Sequence, residues 1–194
     1  MSDLGIWKTP LDGVLLIEPH VFTDERGFFL ESFNEEKYYD GGVKVEFIQD
    51  NHSKSDKGVL RGLHYQKANP QDKLVRVTQG EVFDVAVDMR EESPTYGCWV
   101  GYILSDQNML QLFVPKGFAH GFYVMSKTAE FMYKCSGPYD PDDEGGIIWD
   151  DPDLKINWPI SDPPLLKKKD EELLRFRDIF GKPPTNNNCP KLNA

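Results

Sequence analysis

Leu74-Val75-Arg76-Val77-Thr78-Gln79-Gly80-Glu81-Val82-Phe83-Asp84-Val85-Ala86-Val87-Asp88 reads as two strands, Leu74 to Thr78 and Val82 to Asp88, rich in β-branched residues. Gln79-Gly80 between them has the chemistry of a hairpin turn. Working outward, the same texture recurs at Val45 to Asn51, Val59 to Gln66, Trp99 to Leu104, Leu110 to Val114, Gly121 to Met125 and Glu130 to Cys135. Turn groups such as Ser105-Asp106-Gln107-Asn108 and Pro115-Lys116-Gly117 separate them. Many short strands at near-regular spacing predict an all-β sandwich or barrel. Upstream, Gly13 to Phe33 reads as short extended pieces, with Phe28 to Phe33 an aromatic-rich strand; Asn34 caps a helical turn or two ending near Tyr39. Beyond Cys135 the chain is proline-rich, then strongly charged from Lys167 to Arg177, which suits an arm carrying a short helix.

With 194 residues the chain fits one domain, taken here as 1–182, followed by a polar tail over 183–194 that reads as disordered. A formal net charge of −10 opposes binding to nucleic acid or to anionic membranes, while leaving room for a small anionic ligand wherever Arg and Lys gather. The apolar run Val14 to Ile17 is too short for a membrane span or a signal peptide. Cys98, Cys135 and Cys189 are odd in number and far apart, which argues against a disulfide framework and a structural zinc site. That pattern predicts a reducing, cytoplasmic setting.

Arg61-Gly62-Leu63-His64-Tyr65-Gln66 holds more polar chemistry than a packing strand needs. On a regular strand Arg61 and His64 have opposite parity, so both reach one cavity only if the backbone breaks register, and Gly62 is where a bulge is tolerated. Of the four histidines, His20 follows Pro19 in what reads as an exposed turn, and His52 sits in the polar group Asn51-His52-Ser53-Lys54. His120 closes the run from Val114 through Pro115 and Gly117, a setting that suits the mouth of a barrel more than a packed strand. Two histidines in an all-β domain raise the possibility of a metal. The position two after His64 is Gln66, however, and not the second histidine that metal-binding double-stranded β-helices usually supply. Along Glu130 to Cys135, the residues Phe131, Tyr133 and Cys135 share a face, which points Tyr133 toward the core or a cavity. Taken singly, Lys73 and Asp170 read as a solvated lysine and a helix-start acid.

Several blocks together resemble the dTDP-4-dehydrorhamnose 3,5-epimerase family. They are Phe22 to Ser32, Gln49 to Ser53, Arg61 to Gln66, Lys73 to Val77, Gly80 to Asp88, Pro115 to Phe122 and Tyr133 to Cys135, within a similarity running from about Gly13 to Asp170. The resemblance implies a metal-free, cofactor-free jelly roll of the cupin type, usually a homodimer, acting on dTDP-4-dehydro-6-deoxy-D-glucose. It assigns His64 as base, Asp170 as its carboxylate partner, Tyr133 as proton donor and Lys73 as stabiliser of an enolate. His120 then lines the sugar pocket. Arg26, Glu31, Gln49, Asn51, Arg61, Glu144 and Lys169 fall on positions that hold the nucleotide and its diphosphate, some reaching across the dimer. Carbons 3 and 5 of such a sugar both adjoin the ketone, so one base and one acid on opposite faces can invert each. A neutral imidazole, with an ordinary pKa of about 6.5, suits the base.

Two departures stand out: Pro138, where family members carry a second adjacent aromatic, and the extension beyond Arg175, for which the resemblance offers no counterpart. Other readings open at this stage are a mono-epimerase of a related dTDP-4-keto sugar, a metal-dependent cupin oxygenase using His64 and His120, and a non-catalytic nucleotide-sugar binding protein.

Overall fold

The structure, a computed structural model, describes residues 4–181 together with Cys189. In chain order its strands are β1 (Leu4–Lys8), β2 (Leu15–Pro19), β3 (Val21–Asp24), β4 (Gly27–Leu30), β5 (Gln49–Asp56), β6 (Leu60–Gln66), β7 (Lys73–Gln79) and β8 (Glu81–Asp88). Then come β9 (Trp99–Ser105), β10 (Gln111–Val114), β11 (Phe118–Val124), β12 (Thr128–Cys135) and β13 (Glu144–Gly146). Helices are short: α1 (Glu35–Asp40), α2 (Lys168–Glu171) and α3 (Phe176–Phe180).

Two antiparallel sheets face each other in the jelly-roll arrangement, ordered β1-β2-β10-β7-β12-β5 and β13-β6-β11-β8-β9, while β3 and β4 form a separate ribbon. The interior between the sheets is filled by Val75, Val77, Leu112 and Phe131 from one side and Val82, Ala86, Val100, Phe118, Phe122 and Val124 from the other. A second apolar cluster covers the outer face of β6, β8 and β11: Leu63, Val85 and Ala119 pack under Ile147, Leu154, Trp158 and Phe176 of the C-terminal arm. Tyr38 of α1, whose Asn34 cap accepts from the Lys37 amide as the sequence predicts, seals the outer face of the other sheet.

Several expectations are corrected by this packing. Gln79-Gly80 joins no hairpin: β7 and β8 lie in different sheets, so the turn at Gly80 (φ +80°) carries the chain from one layer to the other. Phe118 to His120 belong to a strand and not to a loop at the barrel mouth. All seven residues of β11 are buried, because one face meets the interior and the other lies beneath the arm, which erases any alternation. Strand β5 begins only at Gln49, and β4 stops at Leu30. Cys98, 2% exposed, is disulfide-bonded to Cys189, contrary to the reading of three separate thiols; that bond spans 91 residues of sequence, and Cys135 alone of the three is free and buried. The disorder expected over 183–194 otherwise lies outside the described residues.

The break at Gly62 is present. Strand β6 pairs His64 with His120 and Arg61 with Phe122, so two residues of β6 oppose one of β11. Leu60 and Leu63 therefore face the arm while Arg61 and His64 both face the interior. Gly62 has φ +118°, and a Cβ there would stand 2.6 Å from Gly121 Cα and 2.7 Å from the His120 carbonyl oxygen. Backbone cannot give way as a side chain can. Gly62→Ala is expected to cost roughly 2–5 kcal/mol, the sum of a disfavoured backbone conformation and overpacking, and so to lower Tm by about 5–15 °C. Gly58→Ala, at φ +86° with nothing within 4 Å, is the control and should lose only the conformational part. Equal losses in thermal unfolding would contradict the crowding at Gly62.

Candidate active site

The register break opens a cavity of about 560 Å³ between the sheets. Arg61 and His64 on β6 and His120 on β11 line one wall; Ser53 on β5, Lys73 on β7 and Tyr133 on β12 line the other, and the arm closes it with Leu165, Leu166, Lys169 and Asp170. An adjoining pocket of about 230 Å³ adds Gln49 and Asn51 and shares His64, Lys73, Tyr133, Tyr139 and Glu144. His64 and Tyr133 thus stand on opposite sheets and face one space.

His64 Nε2 lies 2.8 Å from Oδ1 of Asp170, an acid that is 3% exposed on α2 and not on a solvated helix face. A carboxylate only accepts, so Nε2 carries the proton in the neutral ring and Nδ1 keeps its lone pair. Nδ1 is 3.9 Å from Glu144 Oε1, beyond hydrogen-bond reach, and stays available to the cavity. Burial pushes the Glu144 carboxyl up, but its ion pair with Lys169, the nearby His64 and a hydroxyl donated by Tyr139 at 3.2 Å outweigh that and hold it below the usual range.

Lys73 has no hydrogen-bond or ion-pair partner among the described residues, and desolvation pushes its ammonium pKa down against the pull of Cys135, Asp84 and Glu144. Arg61 donates from Nε to Ser55 Oγ at 3.1 Å and meets no carboxylate among the described residues. Among the described residues, Lys73 and Arg61 thus reach the cavity with no carboxylate in contact, in a chain whose formal net charge is −10. The Tyr133 phenol is pushed up, chiefly by desolvation, so it remains a proton donor through the neutral range.

Gln49 Nε2 donates to Asn51 Oδ1 at 3.0 Å, and Asn51 in turn reaches Cys135 Sγ, which orders the wall of the smaller pocket. Gln66, at the position where a metal-binding relative would carry a second histidine, spends its amide on the Asn69 carbonyl and the Asp140 amide. Pro138 offers its carbonyl to Gln71 Nε2 at 2.7 Å, leaving Tyr139 as the ring at the mouth. Arg26 and Glu31 are not brought to this cavity. Arg26 pairs with Asp24 at 2.5 Å on the β3–β4 ribbon, and Glu31 pairs with Lys37 at 2.6 Å. Sequence reasoning missed Asp84, whose two oxygens lie 2.9 and 3.0 Å from His120 Nε2; the available signal was an acid at core parity between Val82 and Ala86.

Residues 8–178 match the family described as dTDP-4-dehydrorhamnose 3,5-epimerase. The chain belongs to that family. The epimerase of this name from Pseudomonas aeruginosa is 55% identical over 172 residues, covering 88% of this chain and 95% of its own. That of Methanothermobacter thermautotrophicus is 50% identical over 180 residues, covering 92% and 97%. Among solved structures, the dTDP-6-deoxy-D-glucose-3,5-epimerase from Legionella pneumophila, in complex with dTDP-4-keto-L-rhamnose, is 48% identical and superposes with a TM-score of 0.89. It covers 98% of this chain and is itself covered in full, so the extension beyond Arg175 does have a counterpart, contrary to the sequence reading. In this epimerase-family site one buried carboxylate orients the His64 imidazole, and Lys73 and Arg61 reach the cavity beside it.

The Lys73 ammonium should titrate below the value of about 10.4 usual for lysine, because desolvation disfavours its charged form. An anion entering the cavity should move it back up. Lysine-selective NMR across a pH series, without and with dTDP, reads both; a free-protein value at or above that of ordinary lysine would contradict the site's electrostatics.

Proposed function

We propose that the chain inverts carbons 3 and 5 of dTDP-4-dehydro-6-deoxy-D-glucose to give dTDP-4-dehydro-L-rhamnose, without metal or nicotinamide. The observation that carries this reading is the pair His64 and Tyr133 facing each other across one cavity that Lys73, with no bonded partner among the described residues, also enters. His64 Nδ1 takes the proton from carbon 3 or carbon 5. The electron pair moves into the bond to carbon 4, and the ketone oxygen becomes an oxyanion beside the Lys73 Nζ. Reprotonation on the opposite face, from the Tyr133 hydroxyl at carbon 5 and from solvent at carbon 3, inverts each centre; the imidazolium gives its proton to solvent after each step, and solvent returns a proton to the phenolate. Asp170 accepts from His64 Nε2–H throughout and stabilises the imidazolium.

Positioned proton transfer supplies about 10²- to 10⁴-fold, and a preorganised oxyanion donor about 10²- to 10³-fold. Neither suffices alone for a carbon acid as weak as a sugar α-carbon, which accounts for a cation at the ketone as well as a base. Arg61 and Lys169 suit the diphosphate, and Gln49 and Asn51 in the adjoining pocket, with Glu144, suit the nucleotide side.

The chain acts as a homodimer in this reading. Phe22, Phe28 and Phe29 on the β3–β4 ribbon are 52%, 61% and 69% exposed, an apolar surface costly to leave in water. Arg26 and Glu31, remote from their own protomer's cavity, fit the second copy's site at that surface. A cytoplasmic setting remains part of the proposal on the strength of the nucleotide-sugar substrate; the Cys98–Cys189 bond withdraws the argument from separate thiols. Among the described residues no helix is long and apolar enough to cross a membrane.

Proton NMR in deuterium oxide with dTDP-4-dehydro-6-deoxy-D-glucose tests the whole reading. The unmutated protein should take up deuterium at both carbons; uptake at one alone would make it a mono-epimerase, and binding with no uptake a non-catalytic binder. His64→Asn should lose uptake at both carbons, Tyr133→Phe should exchange without completing inversion at carbon 5, and Lys73→Met should slow exchange by about 10²- to 10³-fold. Full exchange in His64→Asn would remove the proposed base.

A further inference from the structure

Asp84 has no part in the chemistry above, yet it is a carboxylate with 0% exposure in the middle of β8, on the face where Val82 and Ala86 fill the interior. Burying such a group costs several kcal/mol unless it is paired, and Asp84 has no cation in contact: among the described residues, its side chain is bonded only to His120. His120 Nε2 stands 2.9 Å from one Asp84 oxygen and 3.0 Å from the other. That near-equal sharing fits a ring N–H donating to both oxygens of an ionised carboxylate. A protonated carboxyl donating to the ring would single out one oxygen.

His120 lines the cavity, and its Nδ1 has no protein partner among the described residues; no buried side-chain nitrogen or oxygen there lacks one, so this atom is not sealed away. The strand register puts His120 directly opposite His64, and both imidazoles face the interior from neighbouring strands. Each is held at Nε2 by a buried aspartate. They differ in their anchors: Asp170 comes from the arm, Asp84 from a strand at the centre of the fold.

We infer that Asp84 is a positioning residue which, through His120, holds that imidazole as the Nε2–H tautomer and turns its Nδ1 lone pair into the cavity to accept a hydrogen bond from a sugar hydroxyl. The inference rests on the proposed epimerase reading for the identity of the ligand, and on the geometry alone for the tautomer. Which ring nitrogen carries the proton is set by the bond the other one makes, so an imidazole that is to offer an acceptor to the cavity needs an acid behind it. The charge also bears on Lys73: Asp84 is among the groups that oppose the desolvation of its ammonium.

Nitrogen-15 imidazole NMR of the unmutated full-length protein should find His120 with Nε2 protonated and Nδ1 bare. A proton on Nδ1 overturns the inference, and this readout needs no turnover, so it stands apart from failure of the epimerase reading, which deuterium uptake by the unmutated protein reports. Asp84→Ala should leave His120 a mixture of tautomers, lower kcat by about 10- to 100-fold, as loss of a histidine-orienting carboxylate commonly does, and leave the Kd for dTDP unchanged. Should the alanine variant fail to fold, Asp84→Asn serves: its one remaining carbonyl oxygen can keep the tautomer, so kcat should be partly retained. A kcat that does not change while the His120 tautomer is lost, or a Kd for dTDP that worsens in step with kcat, would reduce Asp84 to a structural role.

Discussion

The close approach of β6 and β11 at Gly62 and Gly121 governs the molecule. No side chain fits there: a Cβ on Gly62 would meet the backbone of the neighbouring strand, and one on Gly121 would lie 2.7 Å from the Arg61 carbonyl oxygen. Because β6 carries one residue more than β11 over this stretch, its side chains change face. Leu60 and Leu63 go to the arm, Arg61 and His64 to the interior. A regular strand would send either the cation or the imidazole out of the cavity.

Packing and chemistry are then linked through the arm. Phe176, with 0% exposure, anchors it against Tyr96 and the outer face of the sheet, and Asp151, 2% exposed, receives the Phe176 amide at 2.6 Å. Those contacts bring Asp170 to His64 across 106 residues of sequence. The residues of the arm that touch the cavity are thus held by an apolar interface some distance away, and the His64 ring is oriented by a segment whose own position depends on burial. On the other wall, β7 and β12 present Lys73 and Tyr133 without a hydrogen-bond partner among the described residues, the state in which a donor or a charge is most available to a ligand.

Much of this was legible in the sequence because strands of this size announce themselves by alternation, and because Asn34 and Gly62 carry local chemistry that only one conformation uses well. Where alternation failed, so did the reading. Phe118 to Val124 is buried on both faces and therefore lacks a period of two. The layer change at Gly80 is invisible because a turn residue does not say which sheet the next strand joins. Cys98 and Cys189 are paired by proximity across 91 residues, which spacing cannot reveal. For the site, the residue types in Arg61 to Gln66 marked the place, and the family resemblance supplied Lys73, Tyr133 and Asp170, each unremarkable alone. Asp84 escaped because an acid within an apolar strand gains meaning only when the histidine opposite is seen. Arg26 and Glu31 were expected at the nucleotide, and the chain holds them elsewhere, on Asp24 and Lys37.

The central claim is geometric: a sugar ring held between an imidazole and a phenol, with its ketone oxygen at an ammonium. A crystal structure of the protein with a bound dTDP-linked sugar tests it most directly. The account predicts the pyranose between His64 Nδ1 and the Tyr133 hydroxyl on opposite faces, and the oxygen on carbon 4 within hydrogen-bond distance of Lys73 Nζ. A pyranose lying outside the space between the two sheets, or with both groups on the same face of the ring, would contradict it.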